Sequence, residues 1–366
     1  LTLLRRPAVA ATLSLTMMTV LVLLSQLKYH VMMMTANFVD LMIVDTDTVT
    51  FLFTIFPTLR WMVALSMIAL VPALVFAWRF DPFRVRRLAS AALGLACISR
   101  LTALEIRNPM APFEAFYGNN FVSSFARSGV DAISELMTHG LMESDAAVID
   151  RLKAVTDATC EPATKPPHII LIHDESSFDI RMAPGVKVPS GYGSHFLSFD
   201  GKERNFVVEG AGGPSWFTEY NVLAGLSARS FGRFAYFVTR IAAGRVYRGL
   251  PAALRHCGYR TYSLYPALGA FMSARSFQTT TGVQRFFDQH DLGTKKIEPD
   301  SFFFHAAARM IEQEHARAPM FVFVYLAANH FPWDYRYRPD LLPQWKDLDN
   351  VPPVDARRTT PTFWRS

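Results

Sequence analysis

The uncharged run PAVAATLSLTMMTVLVLLSQ, residues 7–26, most constrains what this chain can fold into. About 20 apolar residues suffice to cross the hydrocarbon core of a bilayer as a helix. Arg5 and Arg6 precede the run. A cleaved signal peptide is the rival reading, but no small-residue cleavage site follows and further apolar segments do. WMVALSMIALVPALVFAW, residues 61–78, predicts a second span, with Trp61 and Trp78 where an interfacial belt places them. Pro72 inside it is tolerable in a membrane helix.

Between these spans, residues 31–56 are apolar but interrupted by Asp40, Asp45 and Asp47. They read better as an amphipathic segment at the interface than as a further span. RFDPFRVRR, residues 79–87, is the densest basic cluster in this part. LASAALGLACISRLTAL, residues 88–104, follows as a short third span flawed by Arg100. The positive-inside rule then puts Arg5, Arg6 and Arg79 to Arg87 inside, with the 27–60 connection outside. Everything after about residue 105 faces the periplasm or exterior. The expectation is a multi-pass protein of a bacterial-type inner or cell membrane.

Composition agrees with this division. The chain has 366 residues, is 51% hydrophobic and carries a net charge of +6. Its positive charges in the first hundred residues cluster between apolar runs, which assigns them to a membrane and not to nucleic acid. No obligate protein partner is inferred. Cys97, Cys160 and Cys257 have no CxxC spacing, so neither a zinc knuckle nor a disulfide framework is implied. A Cys160–Cys257 bridge is conceivable outside the cytoplasm, with two free thiols the default. The chain begins at Leu1, and an incomplete N-terminus is expected.

From residue 105 on, about 260 residues remain, enough for one large α/β domain. The expected organisation is a membrane anchor over 1–104, a helical connector over 105–164 and a catalytic domain over 165–366. NNFVSSFARSGVDAISELMTHG and ESDAAVIDRLKAV carry helical periodicity, and EPATKPP marks a boundary. HIILIHDES and APMFVFVYLAANHFPW read as buried parallel strands that end in polar residues, and LPAALRHCGYRTYSLYP as helix, glycine stop and strand. Strands alternating with helices predict a mostly parallel sheet flanked by helices. Ligands of such sheets bind at the carboxyl ends of the strands. Here those ends are His173-Asp174-Glu175 and Asn329-His330.

Glu175 is either a solvated strand-end carboxylate or a metal ligand, since a hard carboxylate at that edge suits Mg, Mn or Zn. Of its neighbours only His173 shares its face, and a packed histidine is expected there more than a second ligand. His330 is a core or strand-end histidine, or a donor to an anionic substrate. Ser215 follows Gly210, Gly212 and Gly213, which let the backbone approach a ligand closely. Pro214 delays any helix to Ser215 or beyond. A capping box would need Glu or Gln three positions on, but Thr218 stands there and Glu219 falls one later. Helix cap and nucleophile remain equally open for Ser215 on these residues.

PPHIILIHDESSFD, GGPSWFTEYNVLAGLS, LPAALRHCGYRTYSLYP, GVQRFFD and ANHFPW occur in this order over roughly residues 165–335. In order and spacing the chain resembles the sulfatase-like branch of the alkaline phosphatase superfamily. Within it the look is that of membrane-anchored phosphoglycerol transferases of the lipoteichoic acid synthase type. The resemblance implies an alkaline-phosphatase-like α/β fold with a divalent metal, Mn, Zn or Mg. Glu175 matches the metal-binding acid after the first strand. Ser215 matches the nucleophile, which also ligates the metal. His330 matches a substrate-binding histidine of the NH-x-P type, and Arg275, in FMSARSF, a phosphate-contacting arginine.

Two departures bear on chemistry. SWFTE lacks the C/S-x-P-x-R context of formylglycine sulfatases, which points to an unmodified hydroxyl nucleophile. The family also completes its metal site with an Asp-His pair downstream of NH-x-P. None follows here before Ser366, so the resemblance implies a C-terminally truncated chain. The implied activity moves a phosphoglycerol- or phosphoethanolamine-type group from a phospholipid donor to an extracytoplasmic glycan or lipid acceptor. The alternatives are a sulfatase- or phosphatase-type hydrolase of the same fold, or a catalytically incomplete derivative.

Overall fold

A computed structural model of the chain describes residues 5–118, 120–138, 140, 160, 166–205, 207–210, 214–246 and 248–330. The helix expected over ESDAAVIDRLKAV lies outside these residues, as does most of EPATKPP. The chain divides into two compact units, residues 1–148 with 229–241, and residues 149–228 with 242–366.

In the first unit, α1 (Pro7–Met32), α4 (Thr58–Phe80) and α5 (Arg87–Arg107) are each long and apolar enough to cross a membrane. Pro7 opens α1, where its missing N–H costs no hydrogen bond. Their apolar side chains point outward: Leu15, Trp61 and Leu88 are 67%, 74% and 86% exposed. Water would not tolerate that surface, whereas lipid would. The intervening segment forms two short helices, α2 (Phe38–Met42) and α3 (Thr46–Ile55). The acids that interrupt its apolar run start these helices. Asn37 and Asp40 form a capping box on α2, and Asp45 accepts the Thr48 N–H at 2.8 Å to cap α3.

The two basic clusters meet at one end of this helical group. Ala8 N–H donates to Asp81 Oδ2 at 2.7 Å, Val85 N–H donates to the Arg5 carbonyl at 3.0 Å, and the Arg6 guanidinium lies over the Trp78 ring. After α6 (Pro112–Tyr117) comes α7 (Phe121–Thr138), which packs through its small residues. A Cβ on Gly129 would sit 3.1 Å from the Phe38 ring, and Ser128 Oγ accepts the Phe38 N–H at 3.0 Å. Residues 229–241 join this unit through buried Phe231, Phe234 and Phe237, with Arg233 paired to Asp131 at 2.6 Å.

The second unit is built on four parallel strands in the order β1-β4-β2-β3: β1 (Ile169–Asp174), β2 (Arg260–Leu264), β3 (Arg285–Phe287) and β4 (Met320–Leu326). The central strand β4 is buried at every position. An unbroken MFVFVYL run is the pattern such a position demands, because both faces are covered. On one face α11 (Asp300–Glu314) lays Phe303, Ala306 and Ala307 against Tyr262, Leu264, Met320, Val322 and Val324. The remaining helices of use here are α8 (Trp216–Ala224), α9 (Leu250–His256) and α10 (Ala274–Thr280). Gly258, with φ +82°, stops α9 before β2.

β1 departs from the expected buried strand. It is the outer strand of the described sheet and alternates in burial, leaving Ile170 and Ile172 about half exposed. Cys160 and Cys257 form a disulfide, in place of the two free thiols taken as the default. Separated by 97 residues, they were linked by the fold and not by any local spacing.

Candidate active site

Parallel strands deliver their carboxyl ends to one edge, and the polar residues that close β1 and β4 meet there. Glu175 follows the last residue of β1, and its N–H continues the ladder to the Leu326 carbonyl at 3.2 Å. Its side chain is 11% exposed. His330 follows β4 after a turn in which its N–H donates to the Ala327 carbonyl at 3.1 Å.

Ser215 settles at the N-cap position of α8, but its hydroxyl makes no capping bond. Its carbonyl accepts the Thr218 and Glu219 N–H groups, at 3.0 and 3.2 Å, so the backbone alone starts the helix. The hydroxyl instead donates to Glu175 Oε1 at 2.6 Å, a charge-assisted bond of the short kind. His330 Nε2 lies 3.6 Å from the same oxygen. Glu175, Ser215 and His330, 155 residues apart at the extremes, thus converge on one carboxylate oxygen. Of the glycines before Ser215, Gly210 needs its missing side chain, since a Cβ would meet the Pro214 carbonyl at 2.8 Å. Gly212 and Gly213 lie outside the described residues.

Beneath these groups is a layer of buried polar side chains. The Tyr325 and Tyr265 rings meet edge to face at 5.2 Å. Burial, followed by the nearby Glu219 and Glu175 carboxylates, raises the Tyr265 phenol well above its ordinary pKa. Tyr325 is raised in the same direction and chiefly by burial. Glu219, one helical turn after Ser215, is 1% exposed and accepts from Gln278 Nε2 at 2.9 Å. Burial pushes its pKa up to about 8, opposed by the Gln278 hydrogen bond and reinforced by Glu175. Gln278 is itself fully buried, and its Oε1 has no partner among the described residues. A neutral Glu219 brings an O–H donor to its side.

His173 stacks on Tyr325 at 4.3 Å, and burial holds its imidazole down to about 4. It packs as a neutral ring, as its place on the strand suggested. Arg275 is committed elsewhere: its guanidinium pairs with Asp288 at 2.9 Å and Asp291 at 2.7 Å, donates to the Phe286 carbonyl and lies over the Phe286 ring. Asp288, His290 and Asp291 could close on a cation. However, Asp288 Oδ1 accepts the His290 and Asp291 N–H groups, its Oδ2 accepts that of Gly269, and Arg275 supplies the positive charge. The cluster is a turn already neutralised by an arginine.

Tyr265, Tyr325 and Gln278 were not singled out from the sequence, and Glu219 was weighed only as a capping-box residue. Two signals were legible. Tyr265 and Tyr325 sit at the strand ends that also carry the site, and Glu219 lies at i+4 from Ser215 on the same helix face.

No family model matches the chain, and no curated protein sequence does. Among solved structures it is similar to the crystal structure of the lipoteichoic acid synthase LtaP from Listeria monocytogenes, with a TM-score of 0.36 and 14% identity over 51% of this chain and 47% of that one. A second is a protein in the alkaline phosphatase superfamily from Vibrio parahaemolyticus, with a TM-score of 0.23 and 18% identity over 25% of this chain and 24% of that one. The chain spans about half the length of the first and a quarter of the second.

Proposed function

We propose that the chain is a membrane-anchored, sulfatase-like phosphotransferase with Ser215 as its nucleophile. It moves a phosphoglycerol- or phosphoethanolamine-type group from a phospholipid to a glycan or lipid acceptor outside the cytoplasm. The observation that carries this reading is the 2.6 Å bond from Ser215 Oγ to Glu175 at the carboxyl edge of a parallel sheet, with the hydroxyl free of any capping duty.

Glu175 and Ser215 offer two oxygen donors, and His330 Nε2 stands by the same carboxylate oxygen. Such a set suits a divalent cation, Mn, Zn or Mg, held by Glu175 and Ser215, with water or residues outside the described ones completing the shell. When bound, the cation would acidify the hydroxyl and polarise a phosphoryl oxygen. The Ser215 proton is directed at Glu175 Oε1, so the oxygen is oriented before it attacks. Attack forms the Oγ–P bond and breaks the P–O bond to diacylglycerol, whose oxygen takes up a proton. His330, with its side chain 45% exposed, is placed to donate to the phosphoryl group or to that leaving oxygen. An acceptor hydroxyl then displaces Ser215 from phosphorus and restores it. Arg275 can take part as a phosphate contact only by leaving Asp288 and Asp291.

Three apolar helices support attachment to the membrane that holds the donor. The Cys160–Cys257 disulfide supports placement of the second unit in an oxidising, extracytoplasmic compartment. The test is transfer of labelled head group from phosphatidylglycerol by the full chain in liposomes with added Mn. Ser215→Ala should abolish both transfer and hydrolysis, and Glu175→Gln should weaken Mn binding. Transfer that survives Ser215→Ala sinks the proposal. Release of water-soluble product without transfer would instead identify a hydrolase.

A further inference from the structure

The end of the sheet opposite Glu175 carries an open cleft of about 560 Å³. It is lined by Arg255, His256, Gly258, Arg260, Gln284 and Arg317, among others, and no acidic side chain lines it among the described residues. Arg260 is the first residue of β2 and Arg317 precedes β4, whereas Glu175 follows the end of β1. Seven residues of extended strand place the two ends about 20 Å apart.

The charge arithmetic of the cleft is lopsided. Arg260, Arg285 and Arg317 all converge on the single carboxylate of Glu314, at 2.9, 3.7 and 3.1 Å. Arg285 stands outside the lining, and the two lining guanidiniums that share this one carboxylate leave a positive charge uncompensated among the described residues. Arg255 adds another, having no ion-pair partner among the described residues. Each guanidinium carries five donors, so one carboxylate with two oxygens leaves most of them unused. Gln284 spends its Oε1 on the Thr261 N–H at 3.0 Å, leaving its Nε2 without a partner among the described residues. The last turn of α9, which bears Arg255 and His256, is joined through Cys257, between lining residues His256 and Gly258, to Cys160. An open recess with a surplus of planar, forked donors matches the oxygens of a phosphate group.

We propose that this cleft binds a phosphate ester, with Arg255, Arg260 and Arg317 as its contacts, independently of the Glu175–Ser215 site. Glu314 competes with the ligand for the same guanidiniums. The volume admits a phosphate with its glycerol, and the openness leaves room for a longer chain on either side.

The experiment titrates glycerol 1-phosphate into the full chain in a neutral detergent at constant ionic strength, by calorimetry. A parallel arm uses mixed micelles containing phosphatidylglycerol. Saturable one-to-one binding is expected, weakened about tenfold by Arg255→Ala or Arg317→Ala, and retained in Ser215→Ala. Glu314→Gln should tighten binding, a change that a merely destabilised protein would not show. Arg255→Lys with Arg317→Lys guards against misfolding, since it keeps the charge and should bind at intermediate strength. Binding of the soluble ester alone makes the ligand a free phosphate ester, and binding in the micelle arm as well makes it a lipid head group. No saturable binding, or binding lost with Ser215→Ala and kept in the arginine variants, overturns the proposal.

Discussion

Glu219→Gln offers a clean test of the buried layer under the candidate nucleophile. The wild-type carboxyl has an ordinary value of 4.5 and is pushed up to about 8 in the folded chain, first by burial. Between those values the folded protein holds a proton that the unfolded chain has lost. Stability from this group is therefore complete below about pH 4.5 and declines as pH rises, by about 1.4 kcal/mol per unit, until about pH 8. The whole span amounts to about 5 kcal/mol. Glutamine keeps the shape and still accepts from Gln278 Nε2, while its amide replaces the O–H donor, so the variant loses only the titration. Near pH 5 the two proteins should be close in stability, and by pH 8 the variant should be the more stable by several kcal/mol. The opening free energy of β4, read by amide hydrogen exchange of its peptides in detergent, reports this directly because every residue of β4 is buried. A difference between the proteins that stays flat from pH 5 to 8 would refute the reasoning, since Glu219 would then not titrate on unfolding.

Other perturbations test other joints. Without reductant, alkylation of unfolded protein should label Cys97 only, and Cys160→Ser with Cys257→Ser should cost about 4–5 kcal/mol by loop closure over 97 residues. Labelling of all three thiols in the untreated protein would remove the bridge and its support for an oxidising compartment. Gly282→Ala places a Cβ 2.3 Å from the Ala252 nitrogen at φ +112°, and a loss above about 2 kcal/mol is expected in thermal unfolding. A melting point unchanged by that substitution would contradict the packing of α9 on the turn before β3. Asp81→Ala removes the acceptor of the Ala8 and Phe83 N–H groups and should lower thermostability in detergent by about 1–3 kcal/mol. Equal stability would mean that water or lipid head groups replace the bond.

The sequence by itself determined what depends on local chemistry. Length and apolar composition specified α1, α4 and α5, because a helix of about 20 apolar residues has one favourable solvent. The interrupting acids argued against a further span over residues 31–56, and the fold showed their use, with Asp40 completing the capping box of α2 and Asp45 capping α3. The unbroken MFVFVYL run specified a buried strand, and Gly258 marked the boundary between α9 and β2. Glu175, Ser215 and His330 were legible as strand-end and helix-start residues, but periodicity left each of them two roles.

Only the tertiary structure decided which partners those side chains meet. Serine at a helix start and serine as a nucleophile have the same local sequence. The difference lies in where the hydroxyl finds its acceptor, and Glu175 is 40 residues away along the chain. The same holds for Arg275, whose guanidinium went to Asp288 and Asp291. It holds for Cys160 and Cys257, which became neighbours through the fold. Glu219 shows it most plainly: in the sequence it stood only one position past a capping box, and its carboxyl is perturbed because the fold buries it against Gln278 and near Glu175. Periodicity fixes which face a side chain occupies, while burial and long-range partners, which fix its charge and its chemistry, arise only when distant segments pack.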